Sequence, residues 1–86
     1  MPTRRVRISA LGGGHARPVA ELARLAMAHG APVTLATSAG SFVDLASILA
    51  VMELALVEGD EVVLATGDSP DADAVLEAMA RVLAPG

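Results

Sequence analysis

Hydrophobic and polar positions change period several times along the chain, and each change marks an element. In "RRVRISA", Val6, Ile8 and Ala10 fall on one face and Arg5, Arg7 and Ser9 on the other, the two-residue period of a half-buried strand. Glycines 12 to 14 break that pattern. From Ala16 the period becomes helical, with Val19, Leu22, Ala23 and Ala26 on one stripe. Pro18 fits only a first turn, so this helix starts around Ala16, and Gly30 and Pro32 stop it. "VTLATSAGSFV" predicts a hairpin turning at Ser38, Ala39 and Gly40. "SILAVMELAL" predicts a short helix with Ser47 as its cap. That helix is apolar nearly all round. Ile48, Leu49, Val51, Met52 and Leu54 cannot all face one core, so part of it is expected to form an exposed apolar patch. "DEVVLAT" reads as a further strand. Ser69, Pro70 and Asp71 then supply cap, proline and acidic first turn for a last helix, whose buried stripe is Val75, Leu76, Met79, Val82 and Leu83.

The predicted order is β-α-β-β-α-β-α, without linker, repeat or low-complexity tract. Its economical packing is an α+β fold: a four-stranded, mainly antiparallel sheet with the helices on one face. The other face is expected to turn Arg5, Arg7 and threonines into water. Residues 1–86 are expected to form a single domain.

Composition narrows the chemistry. Hydrophobic residues make up 53% of the chain but one Phe is the only aromatic, so the core must be aliphatic. No Cys, Lys or Tyr is present, which excludes disulfides, thiolates, Schiff-base lysines and tyrosyl acids. A net charge of −4 with almost no aromatics argues against nucleic-acid binding. "MPTRRVRISA" lacks the apolar run of a signal peptide, and no stretch reaches the ~18 apolar residues of a membrane span. The expectation is a soluble, cytoplasmic protein without membrane insertion.

The groups left for chemistry are His15, His29, hydroxyls and carboxylates. His15 stands where the glycine loop becomes a helix. Helix N-termini present unpaired N–H groups and partial positive charge to anions, and glycines let backbone approach a ligand closely. A neutral imidazole there is a competent nucleophile toward phosphorus, and Arg17 adds a guanidinium fork suited to phosphate oxygens. "GGG" itself matches neither a P-loop nor a dinucleotide fingerprint. Taken alone, these residues leave His15 as either an anion-site histidine or an ordinary capping or surface residue. His29 falls in a helix's last turn, where it suits the dipole without any further role. Two histidines fourteen residues apart, with no Cys, give no metal-ligand spacing, and no metal or cofactor is expected.

"GGGHARPVAELA", with His15-Ala16-Arg17-Pro18 unbroken after the first strand, resembles the active-site signature of the HPr family. These are the histidine-containing phosphocarriers of the phosphoenolpyruvate-dependent sugar phosphotransferase system. "VDLASILAVMELAL" resembles that family's regulatory-serine helix. The likeness covers essentially the whole chain and implies the HPr-like open-faced sandwich. It implies that His15 accepts phosphate at Nδ1 from phospho-Enzyme I and passes it to IIA domains of sugar transporters. His15, Ala16 and Arg17 would then line the phosphate site. It places Ser47 at the regulatory serine, which in some bacteria a serine kinase phosphorylates, recruiting transcription regulators. It matches Ile48, Leu49 and Met52 to positions that dock Enzyme I and IIA. The implied protein is a monomeric component of a phosphotransferase system rather than a stand-alone enzyme.

Ser47 also reads as a plain N-cap, and part of the apolar helix as core. The sequence departs from the family pattern in several places. Gly14 replaces a Leu or Ile, Val19 an Ala, and Ala50 and Ala55 glycines; Glu53 adds an acid to the docking helix, and His29 replaces a Phe. The hairpin turn reads one residue longer. Glu21, one turn after Arg17, is placed to draw its guanidinium away from phosphate. Alternative readings are a carrier for a nitrogen-type or dihydroxyacetone-kinase phosphorelay, a regulatory binding protein acting through Ser47 and the apolar patch, or an unrelated small α/β module.

Overall fold

A computed structural model describes residues 2–9, 16–54 and 56–85, with side chains of residues 16 and 17 set aside. The elements follow in the predicted order: β1 (Thr3–Arg7), α1 (Ala16–His29), β2 (Val33–Thr37), β3 (Phe42–Asp44), α2 (Ile48–Glu53), β4 (Glu61–Thr66) and α3 (Ala72–Leu83). The four strands form one antiparallel sheet in the order β1-β4-β2-β3, so β1 and β3 are its edges.

Register sorts the residues between the two faces. Val6 lies opposite Val62, and Leu35 opposite both Leu64 and Val43. These side chains, with Ile8 and Val33, form the inner face. The three helices cover it: Val19, Leu22 and Ala26 from α1, Val51 from α2, and Leu76, Met79 and Leu83 from α3 join one buried cluster. The core is aliphatic, as composition requires, and Leu45 between β3 and α2 is also fully buried. On the outer face Arg5, Val63, Ala36 and Phe42 stand in one row across the sheet. Phe42 is exposed there.

Local chemistry explains the breaks. Gly30 follows α1 with φ +79, a left-handed conformation suited to glycine and to helix ends. The hairpin turns through Gly40 at φ +92, closed by Thr37 N–H to Ser41 carbonyl at 2.9 Å and Ser41 N–H to Thr37 Oγ1 at 3.1 Å.

Three expectations are corrected. β1 begins at Thr3 and ends at Arg7; Ile8 continues the bonding, donating to Asp60 carbonyl at 2.8 Å, and Ala10 lies outside the described residues. α3 starts at Ala72 rather than at Pro70, because Ser69 to Ala72 closes first as a separate turn (Ala72 N–H to Ser69 carbonyl, 3.2 Å). Ser69 therefore does not cap the helix; Asp71 occupies the cap position, with no capping bond from its side chain. Nor do all threonines face water. Thr66 is on the inner face and buried, its hydroxyl donating to Pro32 carbonyl at 2.8 Å, which meets its hydrogen-bonding need inside an apolar layer.

Candidate functional site

His15, Gly14 and the rest of residues 10–15 lie outside the described residues, immediately before α1. The described part is the helix they lead into. Its first turn is Ala16-Arg17-Pro18-Val19, with no acidic residue to offset the positive end of the dipole. Val19 is buried, so the bulkier residue noted in the sequence packs inward against the core. The Arg17 side chain lies outside the described residues; Glu21, for its part, accepts Arg24 on both carboxylate oxygens, with Nε to Oε2 at 3.1 Å and the other nitrogen on Oε1. The Arg24 hydrogen bond holds the Glu21 carboxyl below its ordinary value. Spacing brings the two together, since residues three apart meet on a helix face.

Ser47 is exposed and caps α2, as its residue type predicts. Its Oγ accepts from Ala50 N–H at 3.4 Å, a long bond, and its carbonyl accepts Val51 N–H at 3.2 Å. The approach to the cap is fixed by Asp44: its Oδ1 accepts Ala46 N–H at 2.8 Å and its carbonyl accepts Ser47 N–H at 3.0 Å. These bonds set the direction in which α2 leaves the sheet.

α2 is only six residues long and divides its apolar side chains sharply. Val51 is 2% exposed and anchors the helix in the core, whereas Ile48, Leu49 and Met52 are 41%, 74% and 47% exposed. Positions i, i+1 and i+4 share a helix face, so the three form one solvent-facing apolar surface. The exposed patch expected from the all-round apolar helix is therefore present. Sequence reasoning missed Met27, which is 71% exposed on α1 and shares a groove with Ala46, just before α2. The signal was available: Met27 is apolar yet lies off the Val19, Leu22, Ala23, Ala26 stripe. Glu53, by contrast, is exposed at the end of α2.

His29 is half-buried in the last turn of α1, and its Nε2 meets no hydrogen-bond partner among the described residues. No group of three or more His, Cys, Asp or Glu able to hold a metal occurs among the described residues. No helix among them is long and apolar enough to cross a membrane.

The fold defines a class, the small open-faced α+β sandwiches, here with an apolar helix face turned to solvent of the kind that marks interaction surfaces. Comparison with known proteins narrows it. The family model for the phosphorylation site of the HPr component of the phosphotransferase system matches residues 2–84. A phosphocarrier protein HPr from Streptomyces coelicolor is 45% identical over 86 residues, covering 100% of this chain and 91% of that protein. The crystal structure of a phosphocarrier protein HPr from Bacillus anthracis superposes with a TM-score of 0.82 at 32% identity, covering 95% of each chain. A histidine-containing phosphocarrier protein from Mycoplasma gives 0.81 at 28% identity, over 99% of this chain and 100% of that one. The chain belongs to the HPr family, the phosphocarriers of the phosphotransferase system.

Proposed function

We propose that His15 is the residue on which this phosphocarrier bears its phosphoryl group, taken from phospho-Enzyme I and given to IIA domains of sugar transporters. The observation that supports it most is the family match across residues 2–84, which spans His15-Ala16-Arg17-Pro18 at the start of α1. Nucleophilic attack by the imidazole on phosphorus forms an N–P bond and releases the donor's nitrogen. The reverse step on a IIA histidine returns the ring to its neutral state. The unneutralised N-terminal end of α1, with the Ala16 backbone and the Arg17 guanidinium, stabilises the transferred dianion moderately, as a reversible carrier requires. Ile48, Leu49 and Met52 supply the apolar contact for each partner in turn, and flexible Leu and Met side chains suit several surfaces. The protein acts as a single HPr-like domain, monomeric and cytoplasmic, and needs no cofactor.

Ser47 serves as a control point for a serine kinase and, downstream, transcription regulators. Its hydroxyl is exposed and held only by a long capping bond, so modification need not disrupt the core. A phosphate at a helix N-terminus is compatible with the helix, but it sets a dianion beside Ile48 and Leu49 and opposes apolar docking.

The test is incubation with phosphoenolpyruvate and Enzyme I from the same organism. An acid-labile, base-stable phosphate should appear on the protein and vanish in His15→Ala. Failure of the intact protein to take label would overturn the proposal. Arg17→Ala should slow transfer with the fold intact; an unchanged rate would remove Arg17 from the site.

A further inference from the structure

Four of the six basic residues, Arg4, Arg5, Arg7 and Arg81, line one groove between β1 and α3, on a chain of net charge −4. Among the described residues Glu77 is the one carboxylate that lines this groove, while Glu61 lies opposite Arg7 across the β1–β4 ladder. Glu77 binds Arg4 and stands 3.5 Å from Arg81, leaving Arg5 and Arg7 exposed with no carboxylate within ion-pair distance among the described residues.

The groove runs along a free sheet edge. Thr66 N–H donates to Pro2 carbonyl at 3.2 Å and Ile8 N–H to Asp60 carbonyl at 2.8 Å, so the even-numbered residues of β1 are those bonded to β4. The N–H and C=O groups of Thr3, Arg5 and Arg7 accordingly point away from β4. The next odd residue shows what this edge accepts: Ser9 N–H is taken up by Leu83 carbonyl of α3 at 2.9 Å. Before Ser9 no described residue pairs with this edge, and α3 forms a wall on its inner side.

We propose that this edge is a docking strip for an extended acidic segment of a partner protein, added to the sheet beside β1. The side-chain demands follow from the pleat. A guest residue on the outer face meets Arg5 or Arg7 and should be Asp or Glu. A guest residue on the inner face meets Val6 and the half-buried Ala80 and Ala84, and should be small and apolar. Arg4 is held on that inner side by Glu77, so it adds little new charge there. The guest therefore alternates acidic with small apolar residues, and its backbone pairs with that of Arg5 and Arg7. A second copy of this chain does not fit, because antiparallel pairing of two β1 edges sets arginine against arginine.

The strip lies on β1 and α3 rather than on α2, which makes a direct test available on the full chain. The probe is a blocked (Glu-Val)4 peptide, followed by amide chemical shifts and hydrogen exchange. Binding should move the signals of Thr3, Arg5 and Arg7 and slow exchange of the Arg5 and Arg7 amides. Combined Arg5→Gln and Arg7→Gln should weaken it about tenfold or more, leaving phosphoryl transfer from Enzyme I and the thermal midpoint close to the parent's. A (Glu-Pro)4 peptide of equal charge, unable to complete the backbone pairing, should bind far more weakly. Equal binding of (Glu-Pro)4, equal binding of an oligouridylate, or (Glu-Val)4 shifts confined to residues away from β1 would each overturn the proposal.

Discussion

Leu49→Ala separates docking from folding more cleanly than any other substitution on α2. Burying a whole leucine side chain is worth about 1.5–3 kcal/mol. Leu49 is 74% exposed in the free protein, so about three quarters of that, roughly 1–2 kcal/mol, is still to be gained against a partner. Removing it should raise the KM for this protein in transfer from phospho-Enzyme I by roughly 5–30-fold. Little stability is at stake, because a surface truncation typically costs within about 0.5 kcal/mol, a few degrees in Tm for a domain of this size. The contrasting variant is Val51→Ala. Val51 is 2% exposed, and its truncation should cost about 2 kcal/mol through the cavity it leaves, lowering Tm by roughly 10 °C. The assays are initial rates of phosphoryl transfer against carrier concentration, and thermal melts of both variants. If Leu49→Ala left KM unchanged while lowering Tm as far as Val51→Ala, the exposed face of α2 would be a structural surface and the docking argument would fail.

Other outcomes follow from particular bonds. Ser47→Ala removes a 3.4 Å capping bond at a six-residue helix and should cost about 0.5–1 kcal/mol in a melt. Ser47→Asp keeps a capping side chain, so it should hold the Tm near the parent's while slowing transfer; normal rates would remove the switch. Thr66→Val keeps shape but leaves Pro32 carbonyl without its 2.8 Å donor, and should cost roughly 1–2 kcal/mol in denaturant unfolding. Glu77 is held below its ordinary value of 4.5, chiefly by its hydrogen bond to Arg4. A depressed carboxyl contributes stability that is present above its unfolded pKa and lost as pH falls through the folded one. Any advantage of the parent over Glu77→Gln should therefore be seen at neutral pH and vanish as pH is taken well below 4.5. An advantage that persisted in acid would mean the arginines are not its source.

Where one element decides its own form, the sequence was sufficient. Pro18 and Gly30 bound α1 to within two residues, and the stripe of Val19, Leu22, Ala23 and Ala26 is the face that is buried. The surplus of apolar residues around α2 revealed the exposed patch, because a six-residue helix cannot turn four large apolar side chains to one core. What sequence reading lost depends on neighbours. Thr66 resembles any strand threonine until Pro32, 34 residues away, accepts its hydroxyl. Glu21 has an arginine three residues on, but nothing in residue type alone shows that Arg24 folds back to bond it. Ser69 and Asp71 are equally good caps by residue type, and the turn closing on Ala72 decided in favour of Asp71. The arginine groove was invisible for the same reason. Arg5 and Arg7 read correctly as an exposed strand face, while Glu77 and Arg81 reach them only through the packing of α3 against β1.

α2 has a further consequence for traffic through the protein. A helix of six residues is far below the ~12–15 that sustain themselves in water, so it exists only while Val51 stays seated and Ser47 stays capped. Its formation is therefore a local equilibrium, easier to open than the sheet behind it. Under the proposed docking role, every partner of Ile48, Leu49 and Met52 would draw on the same formed fraction, and each apparent affinity would scale with it. One modest change at Ser47 or Val51 would then turn delivery to all partners up or down together, without altering the chemistry at the histidine.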